Sequence, residues 1–95
     1  DQGDLAGALR YFTESKTIRE RLAASDPSNA AWQRDLSLFH FKLFLFAQKS
    51  GDESMMQAEL RACYLVLKSM KQRDLHMEPK MVDLHTKLLS IFTKP

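Results

Sequence analysis

Apolar residues recur along most of the chain at intervals of three, four and seven, which places them on one face of an α-helix. The pattern predicts four helices, at about residues 4–24, 29–49, 53–73 and 80–93. No segment alternates apolar and polar positions with the period of two that a half-buried strand requires. The sequence therefore predicts an all-α fold of about four helices in a single domain, residues 1–95.

Short polar segments mark the ends of these helices. The run from Ser25 to Asn29 contains Pro27, and proline is tolerated at a helix start but not inside a helix. Gly51 and its polar neighbours separate the second helix from the third, and residues 74–79 connect the third to the fourth. These breaks predict four separate helices joined by short connections.

Helices one, three and four each show one apolar face. On helix one the face is formed by Leu5, Ala8, Leu9, Phe12, Ser15 and Leu22. On helix three it is formed by Met56, Leu60, Cys63, Leu67 and Met70. On helix four it is formed by Met81, Leu84, His85, Leu88 and Phe92, and the charged residues expected to be exposed are Lys80, Asp83, Lys87 and Lys94. Each of these helices is expected to bury one side.

Helix two is apolar on two sides. One face carries Trp32, Leu36, Phe39, Leu43, Phe46 and Ala47. The roughly opposite face carries Leu38, Phe41 and Leu45, with Phe44 beside them. Such a helix needs partners on both sides. Either it is the central helix of a small bundle, or one face packs internally while the other lines a groove or a subunit contact.

Composition and charge narrow the classes of protein. Hydrophobic residues make up 44% of the chain and charged residues 27%, as in folded domains, and 14 basic residues nearly balance 12 acidic ones. This balance favours neither a nucleic-acid groove nor a polybasic membrane surface. The stretch Leu36–Ala47 is too short to span a bilayer. A single cysteine, Cys63, rules out an intrachain disulfide and favours a cytoplasmic location.

The residues show no catalytic or metal-binding pattern, so we expect neither an enzyme nor a cofactor. Motifs with phosphate-binding glycines, paired cysteines or a His-Glu-x-x-His sequence do not occur. His85 and Asp83 point to different sides of their helix and do not form a ligand pair. Cys63 lies in an apolar face, which favours a buried structural thiol over a nucleophile. Charged residues such as Lys16, Arg19, Glu20 and Arg21 are expected to form a solvated helix face.

The segment Gln2-Gly3-Asp4-Leu5, followed by Ala8 and Phe12, resembles the inter-helix turn and second helix of a tetratricopeptide repeat. The pair Gly3-Asp4 recurs as Gly51-Asp52. The long helix before Pro27 is similar to extended bacterial variants with about 50 residues per repeat. The resemblance implies an α-solenoid of antiparallel helix pairs, and we expect the chain to be a fragment of a longer protein.

Several positions depart from the repeat pattern. Such departures are expected at the C-terminal end of a repeat array, because the last repeat does not have to pack against a following one. The residues expected to pack between repeats are Ala8, Phe12, Leu43, Phe44, Ala47, Met56 and Leu60. Of these, Phe44 replaces a glycine, Ala47 and Leu60 each replace an aromatic residue, and Met56 replaces a small residue. On this interpretation residues 1–27 are the second helix of one repeat, residues 28–73 are a degenerate terminal helix pair, and residues 74–95 are a connector and a capping helix.

The resemblance also implies a function, because the first helix of each such repeat lines a binding groove. The groove-facing positions it implies are Leu38, Phe41, Lys42, Leu45, Gln48 and Lys49. Leu45 stands where recognition of a peptide carboxylate would need an asparagine. The apolar patch of Leu38, Phe41 and Leu45 suits instead an amphipathic helix laid in the groove, or another repeat or neighbouring domain. The expected function is a non-catalytic scaffold for a protein or peptide partner. The alternative is a purely structural array end that self-associates as a homodimer through helices one and two.

Overall fold

The computed structural model describes the backbone of residues 2–93 and the side chains of residues 6–93. It contains four helices: α1 (Gln2–Ser25), α2 (Ala30–Ser50), α3 (Glu53–Gln72) and α4 (Pro79–Phe92). No strand occurs among residues 2–93. The prediction of an all-α fold with four helices is confirmed, with each helix end within two residues of its expected position.

Local hydrogen bonds explain where the helices begin and end. The side chain of Asn29 accepts a hydrogen bond from the backbone N–H of Trp32, and that of Asp52 accepts one from Met55, each at 3.0 Å. These contacts cap the first turns of α2 and α3. Gly51 ends α2 in the left-handed conformation, with φ of 74°, which glycine adopts without strain. Pro79 stands in the first turn of α4, where a backbone N–H would make no hydrogen bond within the helix and its absence in proline therefore costs nothing.

Helix α2 is the centre of the domain, with α1 and α3 packed against it and α4 packed against α3. Contacts between α1 and α2 run in opposite directions along the two helices, because Phe12 meets Phe46 whereas Arg19 meets Asp35. The α2–α3 contact is the most extensive in the domain. The face of α2 expected to be internal is buried at Leu36, Phe39, Leu43 and Ala47. The prediction was wrong for Trp32, which lies in the first turn of α2 and is exposed.

A second part of the core joins α3 to α4. Its buried members are Cys63, Tyr64, Leu67, Met70, Met81 and Leu88. Leu84 and Phe92 are half-buried against it, while Lys80, Asp83 and Lys87 are exposed as expected; Lys94 lies outside the described residues. Helix α4 therefore covers α3 with the face that the sequence predicts.

The expected apolar face of α1 is only partly buried. Phe12 packs in an edge-to-face arrangement on Phe39 and Phe46 of α2. Leu9 and Leu22, predicted to share that buried face, are instead exposed. The prediction was wrong for these two leucines, because in the described part of the chain α2 is the one helix against which α1 packs closely, and much of the circumference of α1 is left in solvent.

Candidate interaction surface

A strip along the outward side of α2 exposes two large leucines. Leu38 and Leu45 stand two helical turns apart, and the two residues are 48% and 42% exposed to solvent. Both belong to the second apolar face of α2, which the sequence predicts to need a partner. This strip, with the grooves on its two sides, is the candidate interaction surface of the domain.

One groove lies between α2 and α4. It has a volume of about 360 Å³, and its apolar lining residues are Leu38, Phe41, Met81 and Leu84. Phe41 is half-buried and packs against the α3–α4 core cluster, with its ring 5.6 Å from that of Phe44. Phe41 thus forms the floor of the groove, whereas Leu38 forms its exposed edge.

A second groove lies between α1 and α2. Its volume is about 260 Å³, and it is lined by Phe12, Lys42, Leu45, Phe46 and Lys49. The floor is aromatic, with the rings of Phe12 and Phe46 5.2 Å apart, and the Lys42 ammonium lies 5.9 Å from the Phe12 ring. The predicted partner-binding residues of α2 therefore divide between two grooves. Gln48 is exposed on the same helix and lines neither of them.

The rim of the two grooves is positively charged. Lys80 and Lys87 line the α2–α4 groove together with one carboxylate, that of Asp83. Lys42 and Lys49 line the α1–α2 groove. Four ammonium groups and one carboxylate thus surround an apolar strip, an arrangement that attracts segments carrying acidic residues beside apolar ones.

The positions predicted for packing between repeats lie mostly inside the domain. Leu43 and Ala47 are buried in the α2 face. Ala8, Phe44 and Met56 are half-buried, and Leu60 packs against the α3–α4 cluster. The large ring of Phe44 is accommodated beside Phe41 rather than in a close helix contact.

A buried ionic cluster joins three helices on the inner side of α2. Glu59 of α3 accepts hydrogen bonds from the ammonium of Lys16 on α1, at 2.9 Å, and from Nδ1 of His40 on α2, at 2.7 Å. Burial raises the pKa of the Glu59 carboxyl, but the hydrogen bonds from His40 and Lys16 outweigh it, so the pKa lies below its ordinary value. The cluster fixes the three helices relative to one another.

Sequence reasoning missed this cluster. Lys16 and Arg19 were expected on a solvated face, and this was wrong, because both are half-buried. Lys16 reaches Glu59, and the Arg19 guanidinium lies 4.3 Å from the Phe39 ring centre. The one residue in the sequence that could have indicated the cluster is Glu59, because it lies on the apolar face of helix three. A carboxylate buried on such a face needs a cationic or hydrogen-bonding partner.

Groups with possible chemical reactivity are separated from one another. Cys63 is fully buried, and burial raises the pKa of its thiol to about 12, which keeps it protonated. His85 is buried against Tyr64, whereas Asp83 is exposed. Among residues 6–93 no three His, Cys, Asp or Glu side chains are placed to hold a metal ion. None of the described helices is long and apolar enough to cross a membrane.

Comparisons with protein-family models, with curated proteins and with solved structures found no match to this chain.

Proposed function

We propose that this domain is a non-catalytic interaction scaffold, which binds a protein or peptide partner on the outward strip of α2 and the grooves beside it. The observation that carries the proposal is the exposure of Leu38 at the edge of an apolar groove of about 360 Å³ and of Leu45 at the edge of a second groove of about 260 Å³. Apolar surface of this kind usually marks a contact site. Leu38 and Leu45 are largely outside the core, so folding of the domain does not account for them.

A tetratricopeptide-like arrangement of the helices is part of this proposal. In a helical solenoid each helix contacts the helix that follows it in the sequence and also the helix after that, so that α1 contacts α3 and α2 contacts α4. Two ionic contacts support such a stack: Lys16 of α1 reaches Glu59 of α3, and Arg34 of α2 reaches Glu78 at the start of α4. On this proposal α2 and α4 are neighbouring first helices, the groove between them is the binding groove, and the domain ends a longer array in the cytoplasm.

The shape and charge of the surface favour an amphipathic helix as the bound segment. A helix presents apolar side chains at intervals of three and four, and these fit a groove that runs beside α2. The surrounding lysines, Lys42, Lys49, Lys80 and Lys87, favour a partner with acidic residues along the flanks of its apolar face. A partner with basic flanks would meet repulsion from the same lysines.

A display library of helical peptides, with one apolar face and randomised flanks, tests this function. Selection against the 95-residue chain should enrich peptides with Asp and Glu on the flanks. Backbone amide NMR shifts induced by these peptides should concentrate on the outward strip of α2 and on residues 80–87. Failure to enrich any peptide, or shifts confined to α1 and α3, would contradict the proposal.

A second candidate function, self-association, is favoured by a different surface. Helix α1 exposes large apolar side chains on its outer side, away from the α2–α4 groove. These side chains on α1 favour a homodimer in which α1 of one copy contacts α1 of the other.

A further inference from the structure

The outer side of α1 carries a continuous apolar strip. Tyr11, Ile18 and Leu22 are 60%, 57% and 41% exposed, and the small residue Ser15 lies between them. The positions 11, 15, 18 and 22 follow the four–three–four spacing of residues that form the seam of a helix pair. The side of α1 that faces the domain is separate from this strip, since it contacts α2 and α3 through Phe12, Lys16 and Arg19.

We propose that this strip binds the same strip of a second copy of the chain, so that two α1 helices pack antiparallel about a two-fold axis. A two-fold contact joins the same patch of both copies, and the patch must therefore be complementary to itself. The α1 strip meets this requirement in both shape and charge.

The shape is complementary because large and small residues alternate across the axis. With the axis between positions 16 and 17, Tyr11 of each copy packs on Leu22 of the other, and Ser15 packs on Ile18. The two central layers each combine one small with one branched side chain, which lets the helix axes approach closely. The two outer layers, one at each end of the contact, each pair Tyr11 of one copy with Leu22 of the other.

The charges are complementary because the flank of the strip carries one acidic and one basic residue at matching positions. Glu14 and Arg21 are both exposed and lie beside the strip on the side away from Phe12 and Arg19. In this register, Glu14 of each copy is offset from Arg21 of the other by two residues, or about 3 Å along the axis, and both side chains lean towards the N-terminus of their own helix and so towards each other. The two long side chains meet across this offset, which gives two equivalent ion pairs. Within one helix the two residues are two turns apart and do not meet. Their pairing is therefore available only between copies.

This arrangement selects a second copy over other occupants of the strip. A preceding helix of a longer array would cover the same apolar residues, but it would place no requirement on Glu14 and Arg21 to match each other. The dimer also leaves the α2–α4 groove free, because none of the residues that line this groove lies on α1. Dimerisation through α1 and binding in the α2–α4 groove therefore do not compete.

Charge reversal tests the dimer directly on the 95-residue chain. Sedimentation equilibrium at about 10 µM to 1 mM should show self-association to twice the 11.0 kDa of one chain, since a single-helix contact is a small interface. Glu14→Arg and Arg21→Glu should each weaken the dimer about tenfold or more, by placing like charges opposite each other. The double variant E14R/R21E restores both ion pairs with exchanged positions and should return the affinity to near that of the original chain.

Glu20→Arg is the matched control, because Glu20 is an exposed acidic residue of α1 on the side of the helix opposite the apolar strip. It should leave the dimer unchanged. Ile18→Lys should abolish the dimer without loss of helicity, since Ile18 is exposed in the single chain. A chain that stays monomeric up to about 1 mM overturns the proposal. So does a dimer that is indifferent to Glu14→Arg and Arg21→Glu, or one that the double variant fails to restore.

Discussion

Nδ1 of His40 on α2 lies 2.7 Å from Oε1 of Glu59 on α3, and both side chains are more than nine-tenths buried. The second carboxylate oxygen of Glu59 accepts a hydrogen bond from Lys16 on α1. One buried carboxylate on α3 therefore joins the central helix α2 to α1 and α3, the two helices packed against it. Buried polar groups of this kind favour one packing arrangement over others, because a shifted helix would leave a charge without its partner.

Replacement of Glu59 by glutamine should destabilise the domain by about 2 kcal/mol, because the amide loses the charge that binds Lys16 and His40. The free energy of unfolding, measured in urea, checks this value. Glu20→Gln, a change of the same kind at an exposed position of α1, should alter it by less than about 0.5 kcal/mol. Equal stability of the two variants would show that the cluster contributes nothing to the fold.

Acid should weaken the packing of α4 on α3 through His85. Burial, reinforced by the nearby Lys71 ammonium, lowers the pKa of His85 below its ordinary value of 6.5. As the pH falls below 6.5, the unfolded chain takes up a proton at His85 before the folded chain does, so stability falls. Urea unfolding at about pH 7.5 and pH 5.5 measures this loss.

The variant His85→Phe isolates that contribution, because it keeps an aromatic ring against Tyr64 but removes the titrating group. The loss of stability between the two pH values should be smaller in this variant than in the original chain. An unchanged dependence in His85→Phe would contradict this explanation.

The two apolar residues of the α2–α4 groove should differ in their contribution to stability. Phe41 packs against the α3–α4 cluster, so Phe41→Ala should cost about 2–3 kcal/mol through lost packing. Leu38 is about half exposed, so Leu38→Ala should cost less than about 0.5 kcal/mol. Thermal and urea denaturation of the two variants distinguish the floor of the groove from its edge. Equal losses would place both residues in the core.

The helices themselves are largely predictable from the sequence, because their ends depend on local chemistry. Asn29, Gly51 and Asp52 act within a turn of their own positions, and the structure places the ends of α2 and α3 accordingly. The same holds for Cys63 and Leu67, whose spacing alone assigns them to the core.

The surface and the ionic cluster depend on how the helices are rotated and placed relative to one another, and spacing along one helix does not fix this. Helical spacing gives Leu38 and Phe41 the same face of α2, yet only Phe41 reaches the α3–α4 cluster. Likewise Lys16 lies among charged residues of α1 in the sequence, but the position of α3 brings it to Glu59. Tertiary packing therefore decides which residues are exposed for binding.

The most direct test of the proposed scaffold compares two leucines of equal exposure. Leu38 on α2 and Leu65 on α3 are both 48% exposed, and only Leu38 lies on the candidate interaction surface. The affinity of a peptide selected against the original chain is measured by calorimetry for Leu38→Glu and for Leu65→Glu. Leu38→Glu should weaken binding about tenfold or more, and Leu65→Glu should leave it unchanged. Equal affinities of the two variants, or a loss confined to Leu65→Glu, would contradict the assignment of the surface.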